Sequence, residues 1–94
     1  MQIKVIGLPC ARVERVLMNA RAAASEFGSK LKILWVNDPY QITKMGNVLT
    51  PTILVNEKVK SSGRIPSVYE LTTWIEEGLM QVSKEKLLEG GVAA

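Results

Sequence analysis

Between Ile3 and Val36 the apolar residues change period twice, and this change restricts the fold more than any single residue does. Ile3, Val5 and Ile6 mark a buried strand within Gln2 to Gly7. Val13, Val16, Leu17, Ala20, Ala24 and Phe27 then recur at helical spacing between Ala11 and Phe27, and Gly28 is placed to stop that helix. Leu31 to Val36 is a second short run of bulky apolar residues, which predicts another strand. Two strands joined through a helix form a right-handed parallel βαβ unit, because the twist of the first strand brings the chain back to the sheet with one hand only. Asp38-Pro39 opens a further short helix: Asp38 caps free N–H groups and Pro39 suits the first helical position. That helix is expected to reach about Met45, where Gly46-Asn47 ends it.

The second half has a different rhythm. Thr52 to Val55 and Lys58 to Ser61 read as strands separated by Asn56-Glu57, which predicts a tight antiparallel hairpin. Ser67-Val68-Tyr69-Glu70 is a capping box, with Ser67 bonding the N–H three residues on and Glu70 reaching back. Leu71, Trp74 and Ile75 supply the apolar stripe of the helix that follows. Leu79 to Glu89 either extends that helix past Gly78 or forms a separate turn of helix. Gly90 to Ala94 is expected to fray, giving one domain over 1–89 and a flexible tail over 90–94. Trp35 and Trp74, on a strand and on a helix stripe, are expected in the core.

A chain of 94 residues, 47% hydrophobic and 22% charged, suits one ordinary globular domain with a modest core. Its +3 charge is spread along the chain among acidic residues, so attraction to anions is mild and no nucleic-acid partner is expected. No apolar run approaches the length of a membrane span. The N-terminal residues lack a basic leader with a long apolar stretch and the chain has one cysteine, which together favour a cytoplasmic location. The absence of histidine removes Ser-His-Asp and Cys-His nucleophile pairs and any His-ligated zinc centre. No glycine-rich loop ends in Lys-Ser or Lys-Thr, and the carboxylates show no paired spacing for acid–base work. No metal site and no cofactor are therefore expected within one chain.

Cys10 falls between the first strand and the helix that starts near Ala11. A thiol there is favoured as thiolate, because unpaired backbone N–H groups and the positive end of the helix dipole face it, and Arg12 adds positive charge. Two readings follow: a nucleophile that attacks a disulfide or oxidised thiol, or a small apolar side chain at a helix start. Val13 likewise is either the first apolar residue of the helix stripe or a replacement for a reactive residue.

The segment Gly7-Leu8-Pro9-Cys10-Ala11-Arg12-Val13 resembles the active-site turn of thioredoxin-like redox proteins, with Val13 where their second cysteine stands. Leu49-Thr50-Pro51-Thr52-Ile53-Leu54-Val55 places a proline before the third strand, as that family does with its cis-proline. The order strand, helix, strand, helix, strand, strand, helix is similar to the minimal thioredoxin fold. The resemblance is to small single-domain thioredoxin/glutaredoxin-like proteins and covers Ile3 to about Glu77.

It implies an α/β thioredoxin-like three-layer fold in βαβ-αββα order, with a four-stranded mixed sheet flanked by helices. It further implies Cys10 as the catalytic thiol, with Pro9, Arg12, Val13, Thr50, Pro51 and Arg64 around the substrate. A cis Thr50-Pro51 bond would turn the Thr50 backbone toward an extended substrate beside Cys10, whereas the plain alternative is a proline that punctuates the entry to an edge strand. Gly63-Arg64 is similar in position to the glycine-containing loop that helps glutaredoxins hold glutathione, so Arg64 would meet a carboxylate with its planar fork, although Ile65-Pro66-Ser67 replaces that family's acidic pair.

Without a second cysteine, a mixed disulfide at Cys10 waits for an external thiol, as in monothiol glutaredoxins. The implied partners are protein or low-molecular-weight thiols and disulfides. Two other roles stay open: a non-catalytic interaction module on the same fold, or a dimer whose two thiolates, with two external thiols, hold an iron–sulfur cluster.

Overall fold

The computed structural model describes residues 1–46 and 49–93. Its elements are β1 (Gln2–Ile6), α1 (Ala11–Ala24), a 3-10 turn (Gly28–Lys30), β2 (Lys32–Val36), α2 (Pro39–Lys44), β3 (Thr52–Val55), β4 (Lys58–Ser62) and α3 (Val68–Ala93). The strands form one mixed sheet in the order β2-β1-β3-β4. β1 runs parallel to β2 and antiparallel to β3, and β3 pairs antiparallel with β4. This is the four-stranded mixed α/β arrangement that the thioredoxin-like resemblance implies.

Register decides which side chains meet. Ile3 lies opposite Val55 and Val5 opposite Ile53, so all four share one face of the sheet. α1 lays Val13, Val16, Leu17, Ala20 and Ala23 on that face, and α3 adds Leu71 and Ile75. Each buried branched side chain contributes on the order of 1.5–3 kcal/mol, so this one cluster is the main source of stability. α2 buries no residue and is held locally, with the Asp38 carboxylate accepting the Tyr40 N–H at 3.0 Å beside Pro39.

Several boundaries differ from those the sequence predicts. α1 ends at Ala24 rather than Phe27, because the Ser25 hydroxyl donates to the Ala22 carbonyl and competes with further helix. Phe27 instead packs on the core from the turn that follows. α3 passes straight through Gly78, whose carbonyl accepts from Asn56 Nδ2 at 3.3 Å, and Gly90 to Ala93 are helical rather than a separate tail. Trp35 and Trp74 are half-buried against the core rather than within it, Trp35 because β2 is an edge strand with a neighbour on one side only. Asn47 lies outside the described residues, and α2 closes before Gly46 with the Met45 and Gly46 N–H groups donating to Ile42 and Thr43.

Candidate active site

The pairing of Ile6 with Thr52 sets the site, because it brings the outgoing end of β1 level with the incoming end of β3. Gly7 is pinned there on two sides: its N–H donates to the Val36 carbonyl at 3.0 Å, and its carbonyl accepts from Trp35 Nε1 at 2.9 Å. Leu8, Pro9 and Cys10 then stand exposed before α1 begins. Cys10 is the N-cap of α1, with extended backbone (φ −162°, ψ 168°), and its carbonyl accepts the Glu14 N–H at 2.9 Å. Its side chain makes no capping hydrogen bond, which leaves the exposed thiol at the positive end of a fourteen-residue helix.

Opposite it stands the Leu49–Thr52 loop, where the Thr50–Pro51 bond is cis. Thr50 is exposed and Pro51 buried. The Leu49 carbonyl accepts from the hydroxyls of Thr52 and Ser62, and these two hydroxyls lie 3.0 Å from each other. The Gly63 N–H donates to the Pro51 carbonyl at 2.9 Å. Gly63 has φ +79°, a conformation that bulky residues avoid, and so turns the chain out of β4 at this point. A methyl on Gly7 would lie 3.5 Å from Thr50 Cβ and 3.9 Å from Pro51 Cα, so the proline loop packs directly against the turn that carries Cys10.

Pro9, Cys10, Arg12, Thr50 and Pro51 are thus gathered at one end of the sheet. Two predicted site residues behave otherwise. Val13 is 1% exposed and belongs to the core, because the third position of α1 faces the sheet; its side chain does not line the site surface. Arg64 makes a bidentate pair with Glu70, at 2.7 and 3.1 Å, so its fork already holds a carboxylate of this chain rather than awaiting a ligand's. The pair holds the Glu70 carboxyl below its ordinary range, mainly through the Arg64 hydrogen bond and next through the Ser67 N–H, and it raises Arg64.

Four residues beyond those expected around the substrate contribute to the site. Gly7 supplies the close approach, Gly63 links the loops, and Leu8 and Leu49 flank the thiol and the proline loop with apolar surface 48% and 68% exposed. A glycine between a strand and a Pro-Cys turn was the one local signal available for the first.

Residues 1–76 match the thioredoxin domain family. The chain belongs to that family. A thioredoxin of Methanothermobacter thermautotrophicus strain Delta H is 30% identical over 71 residues, which covers 76% of this chain and 92% of that protein. The thioredoxin-family match spans both loops of the site and stops within α3. No group of three or more potential metal ligands occurs among the described residues, and no described helix is long and apolar enough to cross a membrane.

Proposed function

We propose that this chain is a thiol–disulfide redox protein that works through Cys10 alone. What carries the reading is one observation: an exposed, unbonded thiol at the N-cap of α1 on a turn packed against the Thr50–Pro51 loop. The Cys10 thiolate attacks one sulfur of a substrate disulfide. A bond forms between Cys10 Sγ and that sulfur, the substrate S–S bond breaks, and the other sulfur leaves as thiolate and takes a proton from solvent.

Val13 carries no sulfur, so the mixed disulfide is resolved by a second, external thiol. Its thiolate attacks Cys10 Sγ and releases the substrate as a reduced thiolate, and a second small thiolate then attacks the small-thiol sulfur, expelling Cys10 as thiolate and leaving a small-molecule disulfide. The backbone of exposed Thr50 pairs with an extended substrate segment, as an added strand does. Pro9 and the apolar Leu8 and Leu49 border the same surface. The partners are protein or low-molecular-weight disulfides with a small thiol as reductant, in the cytoplasm.

The test compares the original chain with Cys10→Ser in reducing a protein disulfide, each with and without a small thiol. Thiol-dependent turnover by the original chain and none above background by Cys10→Ser is the expected result. Equal behaviour of the two under every condition sinks the redox reading and leaves the interaction module.

A further inference from the structure

We infer that Arg12 is a positioning residue for exchange at Cys10: a strap that sets the spacing between the thiol-bearing turn and the Thr50–Pro51 loop, and so favours extended disulfide substrates over small ones. The inference rests on the redox reading above. Arg12 is the second residue of α1, two places after Cys10. Its Nη2 donates to the Gly63 carbonyl at 2.7 Å, across 51 positions of sequence. Gly63 in turn donates its N–H to the Pro51 carbonyl at 2.9 Å. The two bonds run in series from the helix of the thiol to the proline loop.

The middle of this chain of contacts is firm. Gly63 sits against Leu49, where an added Cβ would come within 3.2 Å of Leu49 Cβ, and the Leu49 carbonyl is held by Ser62 Oγ at 3.1 Å. The charged guanidinium supplies a hydrogen bond stronger than a neutral donor gives, in a planar form that loses little freedom on binding. Arg12 is therefore engaged with the protein's own backbone, a different role from adding charge beside the sulfur.

Substrates differ in how much of this geometry they use. A disulfide within an extended peptide must pair with the Thr50 backbone while its sulfur meets Cys10, so it depends on the distance between the two loops. A small disulfide needs the sulfur alone.

The experiment measures exchange, with excess small thiol present, on an extended peptide disulfide and on hydroxyethyl disulfide. It uses the original chain, Arg12→Ala, Arg12→Lys and Cys10→Ser, and follows hydrogen exchange of the Gly63 amide alongside. Arg12→Ala is expected to lose about tenfold in kcat/KM on the peptide and less than about twofold on hydroxyethyl disulfide, with faster exchange at Gly63. Arg12→Lys, which keeps one charged donor, recovers part of the peptide rate. Equal losses on both substrates would mean that Arg12 acts on the sulfur itself, and no loss on either would mean that the strap has no functional weight; each overturns the inference. Should Arg12→Ala fail to fold, Arg12→Lys and Arg12→Gln carry the same comparison. Failure of the redox reading looks different, because Cys10→Ser would then match the original chain.

Discussion

Gly7 and Val13 approach so closely that a methyl group on Gly7 would lie 2.6 Å from Val13 Cγ2. The contact joins the end of β1 to the first turn of α1 and fixes how the thiol-bearing turn leaves the sheet. Valine in a helix has one strongly preferred χ1, so its methyl does not swing aside cheaply. Gly7→Ala is expected to lower stability by about 1–3 kcal/mol, seen as a lower urea midpoint with unchanged slope. Adding Val13→Ala should recover part of that loss, so the two changes are expected to be non-additive in a double-mutant cycle.

Val13→Cys places a second sulfur one helical turn from Cys10. The variant is expected to reduce protein disulfides roughly tenfold or more faster than the original chain when no small thiol is present, because it resolves its own mixed disulfide. Losing one buried methyl costs on the order of 1 kcal/mol, which the fold tolerates. Single-turnover reduction by prereduced protein measures the gain, and Cys10→Ser in the same background should abolish it.

Glu70 ties Arg64 to the N-terminus of α3, with Ser67 Oγ accepting the Glu70 N–H at 3.1 Å and Glu70 Oε1 accepting the Ser67 N–H at 3.2 Å. Its folded carboxyl titrates below the unfolded one, so its stabilisation is complete above the unfolded value of about 4.3 and is lost as pH falls through the folded value. Denaturation midpoints from pH 6 downward should therefore fall less steeply for Glu70→Gln than for the original chain. Ser67→Ala, which removes the cap, is expected to cost about 1 kcal/mol near neutral pH.

Asn56 closes the β3–β4 hairpin with φ +50°, a conformation that asparagine tolerates better than most residues. Its Oδ1 accepts the Gln2 N–H and its Nδ2 donates to the Gly78 carbonyl, each at 3.3 Å, so one side chain ties β1 to α3. Asn56→Ala loses both bonds and meets the left-handed backbone with a less suited residue. A loss of about 1–3 kcal/mol in chemical denaturation is expected.

The elements were legible wherever a local rule settles them. Period alone gives β1, α1 and β2; Asp38-Pro39 gives α2; the Ser67–Glu70 box gives the start of α3. The site was legible in its two loops and illegible in what joins them. Arg12 finds Gly63 across 51 residues, and Arg64 finds Glu70 at a spacing of six, which no helix or strand rule pairs. Val13 reads equally well as core or as site until the sheet is placed beneath α1. The half-buried state of Trp35 follows from the position of β2 at the sheet edge, which is a property of strand order rather than of the strand's own residues.

Strand order has one further consequence. β1 and β3 are the inner pair, and each carries one half of the site on the residues that directly extend it. Proteins open in cooperative pieces, with edges and loosely packed elements yielding well before the centre of a sheet. An excursion that melts α2, which buries no residue, thus leaves Cys10 and Thr50–Pro51 attached to adjoining strands that are still paired, whereas one that peels away β2 frees Gly7 from Val36 and Trp35. Breathing at α2 costs little reactive geometry, and the two halves of the site stay on neighbouring strands for as long as β1 and β3 remain paired.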